Sequence, residues 1–418
     1  MNYFIETIGC QMNICESDKL GQALSSYGIL KVNVLQKADI VILNTCSVRS
    51  QAEQKAFSFL GRAEEFKKEN LNIKIVVVGC MAERIGHKIK HRFKSVNLII
   101  GAKDIDNAAL RIADLCNVSN YSIIESEKAS DIIKYITIMR GCDNYCSYCV
   151  VPFVRGKEIS FNSSDIIEDC RLAVNNGAKE IMLLGQNVNS YKYDDIKFTD
   201  LVKNIAKIDG LERVRFMTNH PKDLSNELID MMATESKVCS HIHLPMQSAS
   251  NNILLAMNRK YTYGRYLTLI KKLRTAVPDI SVTTDIIVGF PGEAEEDFEQ
   301  TLKAVKEIRF GGLYVFRYSS RPNTRAASMC DDVSLEDKKR RHSIILKESN
   351  KISIEIVASM VGTTQQVLAE KIEGGVIEAR TGSGRKVFVK CASKKDLGKQ
   401  LNVNIKEAKI NSLFGEII

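Results

Sequence analysis

Three cysteines on one short loop constrain this chain more than any other feature of its sequence. Cys142, Cys146 and Cys149 follow the β-branched, apolar segment 135–139, which is typical of a buried strand. Three thiolates at this spacing can hold three corners of a 4Fe-4S cluster, whereas a cluster that only transfers electrons takes four protein ligands. One iron is then left open for a substrate or cofactor, as in catalytic metal sites. A zinc knuckle that lacks its fourth ligand and a chance cluster of structural cysteines are the alternative interpretations.

A second set of three cysteines follows three predicted strands near the N-terminus. Cys10, Cys46 and Cys80 each stand after an apolar segment, about 35 positions apart. Because the carboxyl ends of parallel strands open on the same edge of a sheet, the three thiols are expected to converge in a second metal site. Small or turn-forming residues at positions 9, 45 and 79 would let the backbone bend toward such a site. Three isolated, buried cysteines in strands are the alternative.

Apolar strands alternate with amphipathic helices in the first 117 residues. This alternation predicts an α/β domain with an open, largely parallel sheet. The predicted strands are 4–8, 40–44, 73–78 and 98–99, and the predicted helices lie near 17–27, 50–68, 82–93 and 105–115. A polar stretch from 117 to about 130 is interpreted as a linker.

The same alternation restarts in residues 130–358. Six βα units are too few to close an eight-stranded barrel, so they predict an open (βα)6 partial barrel with its active site at the carboxyl ends of the strands. The predicted strands are 135–139, 181–184, 213–217, 241–244, 282–288 and 313–316, and helices are predicted near 164–175, 225–233, 266–276, 295–308 and 335–357. The cationic run 338–341 falls in the last helix and is interpreted as a solvated face.

Residues 359–418 change character, with short alternating strands and Gly-containing turns that predict a small antiparallel β-barrel. Lysines outnumber acidic residues there, which suits an RNA-binding module, although a plain β-domain with a solvated surface fits equally well. The whole chain carries a net charge of +9, which favours an anionic partner such as nucleic acid.

The 12 cysteines are better explained by metal ligation than by disulfides if the protein is cytosolic. Such a location is expected, because the N-terminus lacks a basic and apolar leader and no apolar run reaches the roughly 20 residues that span a membrane. The cysteines outside the two triplets are expected to be mostly small buried hydrophobic residues: Cys15, Cys116, Cys170, Cys239, Cys330 and Cys391.

The loop of Cys142, Cys146 and Cys149 resembles the signature of the radical S-adenosylmethionine (SAM) superfamily. In that superfamily the open iron binds SAM, and an electron from the cluster cleaves SAM to a 5′-deoxyadenosyl radical. The resemblance implies that Tyr145 and Tyr148, within the loop, shield the cluster from water or line the cofactor.

The whole chain is similar to the methylthiotransferases, which are radical SAM enzymes with a second 4Fe-4S cluster in the N-terminal domain and a C-terminal TRAM barrel. The strings that carry the resemblance are 9–13, 44–49, 52–55, 79–82, 151–153, 155–156, 184–191 and 285–293. The chain departs from the usual pattern at Ala249, Asn323, Arg325 and Ala294. Asn tolerates a left-handed conformation, whereas Ala249 would be strained if that position needed a positive φ.

The resemblance implies that Cys142, Cys146 and Cys149 bind the radical-generating cluster, while Cys10, Cys46 and Cys80 bind the cluster that carries the sulfur. It also implies SAM contacts at three strand ends, and these rest on position alone: Gly185, Gln186, Asn187, Gln247, Ser248, Ile287 and Gly289. No side chain is expected to act as an acid or base, because no side-chain base ionises an sp2 C–H bond near pH 7.

The closest branch of the family methylthiolates C2 of N6-dimethylallyladenosine beside the tRNA anticodon. The resemblance therefore implies tRNA, through its anticodon loop, an external electron donor and the iron-sulfur assembly machinery as partners of a monomer. A sister branch acting on threonylcarbamoyl-adenosine in tRNA or on a ribosomal-protein aspartate is one alternative, and a noncatalytic iron-sulfur RNA-binding protein is another. An electron-transfer module is disfavoured because the fourth ligands are missing.

Overall fold

The computed structural model describes residues 1–47, 50–118, 131–390 and 393–418. The predicted linker therefore lies almost entirely outside the described residues, and so does Cys391. The chain forms two compact units, which are described separately. The first contains Met1–Ala129, Arg140–Asp143 and Val150–Ile159, and the second contains Ser130–Met139, Asn144–Cys149 and Ser160–Ile418.

The first unit is built on a five-stranded sheet in the order β2-β1-β3-β4-β5, and every neighbouring pair is parallel. Its strands are β1 Asn2–Ile8, β2 Leu30–Lys31, β3 Ile40–Thr45, β4 Lys74–Gly79 and β5 Val96–Gly101. Its helices are α1 Gln11–Ser25, α2 Ser50–Glu69, α3 Cys80–Arg92 and α4 Ala108–Leu115. The predicted open parallel α/β fold is confirmed.

Helices cover both faces of this sheet, which explains the continuous apolar runs of its strands. Val41 and Leu43 of β3 pack in a core with residues of α2 and α3, whereas Ile40 and Ile42 pack in a second core with residues of α1 and α4. Every residue of β3 is buried.

The second unit contains six parallel strands in two three-stranded sheets, ordered β12-β9-β6 and β13-β14-β15. These strands are β6 Ile133–Thr137, β9 Glu180–Leu184, β12 Arg213–Phe216, β13 His241–His243, β14 Ser281–Val288 and β15 Gly312–Arg317. The helices of the second unit are α6 Ser163–Asn175, α7 Phe198–Ala206, α8 Asn226–Thr234, α9 Asn251–Ala256, α10 Tyr263–Ala276, α11 Glu295–Ile308 and α12 Leu335–Ala358. The short helix α5 Val151–Arg155 belongs to the first unit. The predicted partial barrel is confirmed.

Strand β14 contributes some side chains to the apolar core of the partial barrel and others to polar contacts. Val282 and Ile286 pack in the main core against the surrounding helices. The alternate residue Thr283 instead bonds His241 Nε2 at 3.1 Å and His243 Nδ1 at 3.0 Å. Thr283 and the two histidines thus form a polar group beside the apolar core.

The C-terminal residues form a closed five-stranded barrel in the order β16-β17-β18-β20-β19. Its strands are β16 Thr364–Glu373, β17 Val376–Thr381, β18 Lys386–Lys390, β19 Gln400–Lys409 and β20 Ser412–Ile417. The predicted small barrel is confirmed, with one parallel pair, β18 and β20, in an otherwise antiparallel barrel.

Two buried arginines of β12 join this barrel to the base of the partial barrel. Arg213 Nη1 donates to the carbonyl of Arg380 at 2.6 Å, and Arg215 Nη1 donates to that of Gly382 at 3.2 Å. Arg215 also pairs with Glu180 at 2.8 Å. Because these residues lie at or near the amino ends of their strands, the C-terminal barrel docks opposite the carboxyl ends.

Several local predictions were wrong. Helix α1 begins at Gln11 rather than at 17, and α4 begins at Ala108 after a 3-10 turn, Ala102–Asn107. The short pairs β7 Met139–Arg140 with β8 Ile159–Ser160, and β10 Lys192–Tyr193 with β11 Ile196–Lys197, were not predicted. Two-residue strands leave no periodic signal in a sequence. None of the helices in the described ranges is both long and apolar enough to cross a membrane.

The cationic run on α12 is the predicted solvated face in part. Two of its four residues are exposed, whereas Lys338 and Arg341 are buried. Lys338 Nζ lies 2.5 Å from Asp331 Oδ1, and Arg341 Nη1 lies 2.7 Å from Glu293 Oε2. Acidic partners outside the helix allow these two cations to be buried, so they anchor the helix.

Candidate active site

Cys10, Cys46 and Cys80 follow the carboxyl ends of the three neighbouring strands β1, β3 and β4. Ile8, Thr45 and Gly79 at the ends of these strands are aligned in register. The backbone N–H of Cys46 donates to the carbonyl of Ile8 at 3.0 Å. The structure therefore brings the three cysteines to one edge of the sheet. Cys10 is exposed there, and the other two are buried.

Two of these cysteines stand at helix N-termini, where unpaired N–H groups favour a thiolate. Cys10 is the N-cap of α1, and Cys80 is the first residue of α3. A hydrogen bond with Cys46 lowers the pKa of the Cys10 thiol to about 6, and the Arg155 charge acts in the same direction. Burial raises the pKa of the Cys80 thiol to about 11.

A buried pair of asparagines supports this edge of the sheet. Asn13 Oδ1 accepts from the backbone N–H of Cys10 at 3.2 Å, and Asn13 Nδ2 donates to Asn44 Oδ1 at 2.9 Å. Asn44 Nδ2 in turn donates to the carbonyl of Asn13 at 2.9 Å. Gly79 has φ +99°, and a Cβ there would lie 2.6 Å from Asn44 Oδ1. Glycine is therefore required where the chain turns from β4 into Cys80.

A buried ion pair stands beside the same cysteines. Arg155, the last residue of α5, places Nη1 2.5 Å from Glu16 Oε1 and Nη2 3.1 Å from Glu16 Oε2. The Arg155 charge also favours the thiolate forms of Cys80 and Cys10, because it acts to lower the pKa of both thiols. The carboxylate therefore fixes a cation beside thiols that would have to lose their protons to bind iron.

These residues fit a three-thiolate cluster better than a single ion. The described residues contain no group of three His, Cys, Asp or Glu side chains arranged to hold one metal ion. A 4Fe-4S cluster places each thiolate on a different iron, so its ligands need not converge on one point. Three thiols on one edge of the sheet, two helix N-termini and a fixed guanidinium suit such a cluster.

The loop of the other three cysteines is shaped by short backbone contacts. Cys142 N–H donates to the carbonyl of Gly156 at 3.3 Å, and Cys149 N–H donates to the carbonyl of Cys146 at 2.9 Å. All three cysteines are partly exposed. Gly141 has φ +80° and lies so close to the backbone of Lys157 that any Cβ would collide with it.

The segment at the end of α9 holds the second half of this loop. Ser147 Oγ donates to the carbonyl of Ala256 at 2.7 Å, and Ser147 N–H donates to that of Met257 at 2.9 Å. Asn258 Nδ2 donates to the carbonyls of Asn144 at 3.3 Å and Tyr145 at 3.0 Å. Four hydrogen bonds thus fix the loop against a helix more than 100 positions away in the chain.

The buried Arg259 follows directly and contacts a cysteine of the loop. Its Nη1 lies 3.3 Å from Cys146 Sγ. Tyr148, at 3.5 Å from the same Nη1, packs with the apolar side chains around Ile287 and Phe290. Tyr145, in contrast, is exposed.

The residues predicted to contact SAM all lie after the carboxyl ends of strands or at their last residues. Asn187 follows β9, is buried and donates from Nδ2 to Asp223 Oδ2 at 2.7 Å. Gly185 lies so close to Met139 that a Cβ would collide. Gln247 adopts φ 68°, and its buried Oε1 has no hydrogen-bond partner among the described residues. Gln186, between Gly185 and Asn187, is partly exposed.

Three other predicted contacts are already engaged within the protein. Ser248 Oγ is fully buried, 3.3 Å from Thr301 Oγ1. Gly289 has φ +69°, and the Lys338 side chain packs where its Cβ would be. Ile287 belongs to an apolar cluster and is 9% exposed.

The departures from the family pattern cause no strain in the structure. Asn323 has φ 69°, a conformation that Asn tolerates. Ala249 is absent from the described residues with positive φ, and its N–H donates to Thr301 Oγ1 at 3.1 Å. Arg325 begins a 3-10 turn, and Ala294 caps α11 in an extended conformation.

Other functional residues were not recognised in the sequence. Asn13, Asn44 and Arg155 lie in strings that carry the family resemblance, but no role was predicted for them. Glu16 and Arg259 lie outside those strings and look like ordinary surface charges. The remaining cysteines largely match the prediction, since Cys15, Cys170 and Cys239 are buried, although Cys116 is partly exposed and Cys330 is exposed.

Family profiles match all three parts of the chain. A profile for the radical SAM superfamily matches 136–305, and a TRAM domain profile matches 358–418. A profile described as uncharacterized protein family UPF0004 matches 2–101.

Full-length relatives share one name, tRNA-2-methylthio-N(6)-dimethylallyladenosine synthase. A protein of that name from Endomicrobium trichonymphae is 69% identical over 100% of both chains. Another from Thermodesulfovibrio yellowstonii is 44% identical over 99% of this chain and 98% of its own length. This chain belongs to the tRNA-2-methylthio-N(6)-dimethylallyladenosine synthase family. As a radical SAM transferase of that family it uses SAM and 4Fe-4S clusters.

Solved structures agree with this synthase family at the level of the fold. The radical SAM methyltransferase TsrM from Kitasatospora setae has a TM-score of 0.59 at 12% identity, over 89% of this chain and 79% of its own. The cobalamin-dependent radical enzyme OxsB has a TM-score of 0.54 at 10% identity, over 83% of this chain and 56% of its own.

Proposed function

We propose that this protein converts N6-dimethylallyladenosine beside the tRNA anticodon to its 2-methylthio derivative. The observation that carries the proposal is a second cysteine triplet, on one edge of the N-terminal sheet, in a chain that also has the radical SAM loop. The full-length similarity to synthases named for this product supports the substrate.

Cys142, Cys146 and Cys149 are proposed to hold the radical-generating cluster, and Cys10, Cys46 and Cys80 the auxiliary cluster. Each set offers three thiolates, which leaves one iron of each cluster open. When bound, the clusters and SAM supply the radical and sulfur chemistry needed to replace an aromatic C–H hydrogen.

The residues of the chain position these groups and exclude water. The Asn13–Asn44 pair and the Arg155–Glu16 pair fix the edge where the auxiliary ligands stand. The segment after α9 fixes the loop of the other triplet, and Tyr148 covers it from one side. A rigid, partly buried setting for both ligand sets follows from these contacts.

SAM is proposed to bind at the carboxyl ends of the strands. Gln186, Asn187 and Gln247 provide polar groups there, and the buried Oε1 of Gln247 is available to a ligand donor. Gly185 lets the backbone approach closely. Ser248, Ile287 and Gly289 would act through backbone atoms or apolar contact, because their neighbours already occupy their side-chain positions.

The remaining features concern partners and location. A tRNA substrate follows from the family and its TRAM domain. We propose that the protein reads the anticodon loop, whose unpaired bases can be extruded at little cost. We also propose that it acts as a cytoplasmic monomer, loaded by iron-sulfur assembly machinery and reduced by an external electron donor.

Nucleoside mass spectrometry tests the reaction. The anaerobically reconstituted protein is incubated with isopentenylated tRNA, SAM, sulfide and a reductant, and the nucleosides are analysed. We expect 2-methylthio-N6-dimethylallyladenosine, which keeps the isopentenyl group, together with 5′-deoxyadenosine. Formation of 5′-deoxyadenosine without that product would contradict the substrate, and absence of both would contradict the radical mechanism.

Single substitutions test the two ligand sets. Cys146→Ala should abolish 5′-deoxyadenosine formation, whereas Cys46→Ala should abolish only methylthiolation and keep SAM cleavage. Cys330→Ala, at an exposed cysteine outside both triplets, is the matched control and should keep both activities.

A further inference from the structure

Arg259 is a buried cation whose N–H groups are directed at the cysteine loop and at the segments on either side of α9. Only 4% of the residue is exposed. Its Nη2 donates to the carbonyl of Pro245 at 3.0 Å, and its Nε donates to the Tyr261 hydroxyl at 3.2 Å. Nη1 is left for Cys146 Sγ at 3.3 Å and the Tyr148 hydroxyl at 3.5 Å.

The charge of Arg259 has no carboxylate partner among the described residues. Other buried cations of the same unit do have one: Arg215 pairs with Glu180, and Arg341 pairs with Glu293. A buried charge is costly unless an opposite charge compensates for it. A cysteine bound to iron is a thiolate anion, and Arg259 Nη1 lies 3.3 Å from the sulfur of Cys146.

We propose that Arg259 is a positioning residue that hydrogen-bonds the sulfur of Cys146 and raises the reduction potential of the cluster bound by that sulfur. This inference rests on the proposed function, since it takes Cys146 as a cluster ligand. It adds to that function a residue that sets how readily the cluster accepts the electron used for SAM cleavage.

The direction of the effect follows from electrostatics. Hydrogen bonds to ligand sulfurs and nearby positive charge both stabilise the reduced cluster, which carries one more negative charge. The planar guanidinium is held in place by Pro245 and Tyr261, so its Nη1 keeps a fixed direction toward the sulfur. A lysine would keep the charge but could not make all of these contacts at once.

A redox titration of the holoenzyme, followed by electron paramagnetic resonance, tests the proposal. The cluster of interest is recognised because its signal changes when SAM is added. For Arg259→Met we expect the ratio of reduced to oxidised cluster at a fixed applied potential to fall at least tenfold, or about 59 mV for a one-electron couple. The ratio for Arg259→Lys should lie between those of Arg259→Met and the unsubstituted protein.

Two tyrosines, one just before α10 and one at its first residue, keep the test decisive if the arginine variants do not assemble. Tyr261→Phe removes the acceptor of Arg259 Nε and should shift the potential in the same direction by a smaller amount. Tyr263→Phe is its matched control, because its hydroxyl has no partner among the described residues, and it should leave the potential unchanged.

The outcomes separate this inference from the proposed function. Normal iron content with an unchanged potential in Arg259→Met, or in Tyr261→Phe if the former does not assemble, would overturn the inference alone, and a purely structural role would give that result. Full retention of the SAM-responsive signal in Cys146→Ala would instead overturn the proposed ligand set.

Discussion

The Arg155–Glu16 pair shows how much a single residue can contribute to the auxiliary site. Both side chains are at least nine-tenths buried. Removing one partner of a buried ion pair leaves the other charge without compensation. We expect Glu16→Gln to lower the free energy of unfolding of the cluster-free protein by about 3 to 5 kcal/mol, measured by urea denaturation.

The exposed pair Arg309–Glu355 provides the matched control. Its atoms lie 2.8 Å apart, but the two side chains are 47% and 42% exposed. Glu355→Gln should therefore cost about 0 to 1 kcal/mol. Equal losses in the two variants would show that Arg155 needs no fixed carboxylate.

His220 should make stability depend on acidity. Burial, followed by the charges of Arg259, Lys222 and Lys260, lowers the pKa of His220 to about 2. The unfolded chain binds a proton there below about pH 6.5 while the folded chain does not, so stability falls as the pH falls. The loss between pH 7 and pH 5 should be about 2 kcal/mol.

The variant His220→Gln isolates this effect. Between pH 7 and pH 5, the unfolding free energy of this variant should decrease by about 2 kcal/mol less than that of the unsubstituted protein. The two proteins are compared at equal cluster content. Its absolute stability is not the test, because the substitution also removes the acceptor of the Lys222 N–H. Parallel pH profiles for the two proteins would refute the prediction.

Substitution by glycine should have different effects on stability at positions 249 and 323, where the sequence departs from the family pattern. Ala249→Gly should cost about 0.4 to 1 kcal/mol, because glycine adds freedom to the unfolded chain without relieving strain. Asn323 has φ 69°, so Asn323→Gly should be neutral or stabilising, while Asn323→Ala should cost about 1 to 2 kcal/mol. Thermal unfolding of the three variants measures the order.

At the scale of elements, the segment after α9 is predicted to retain the cluster of the cysteine loop. Asn258 has φ 57° and gives two hydrogen bonds to the loop, each worth about 1 kcal/mol. Asn258→Gly loses the two hydrogen bonds but can keep the positive φ. Asn258→Ala loses the hydrogen bonds and also strains the backbone at that φ. Iron release to a chelator should therefore be fastest in Asn258→Ala, slower in Asn258→Gly and slowest in the unsubstituted protein.

A release rate that is equal in all three proteins would contradict the role of this segment. Ser147→Ala, which loses the bond to the carbonyl of Ala256, provides a second measurement from the loop side. It should behave like Asn258→Gly.

Long apolar strands and regularly spaced cysteines could be predicted because both leave a pattern in the sequence. The start of α1 could not, because the N-cap is a cysteine rather than one of the usual capping residues, and its first turn is supported by Asn44 from another strand. The roles of Arg155 and Arg259 were equally hidden. A buried charge is recognisable only when its partners, more than 100 positions away, are known.

At the scale of the whole molecule, the C-terminal barrel presents an aromatic pair suited to RNA. Phe388 and Phe414 stack with centroids 5.5 Å apart, and Lys409 Nζ lies 4.9 Å from the Phe414 ring. Stacking of one base on an aromatic ring is worth about 1 to 3 kcal/mol. Phe414→Leu should raise the Kd for tRNA about 5- to 150-fold, measured by filter binding at fixed salt.

Two controls show whether a change in tRNA affinity comes from loss of folding. SAM cleavage without tRNA should not change in Phe414→Leu. Leu397→Ala, at an exposed apolar residue of the same barrel, should bind tRNA normally. Unchanged affinity in Phe414→Leu would place the RNA contact elsewhere on the molecule.

The arginines at the base of the partial barrel have a consequence for how a substrate is chosen. They fix the C-terminal barrel at the amino ends of strands such as Glu180–Leu184, whose five residues span roughly 17 Å. Gln247 and the cysteine loop lie toward the other end. The second unit therefore holds its C-terminal barrel at a fixed distance from the carboxyl ends of its strands. We expect that a nucleic acid bound to that barrel would present to those ends only a nucleotide at a matching distance, so that spacing along the nucleic acid would be selected before base sequence.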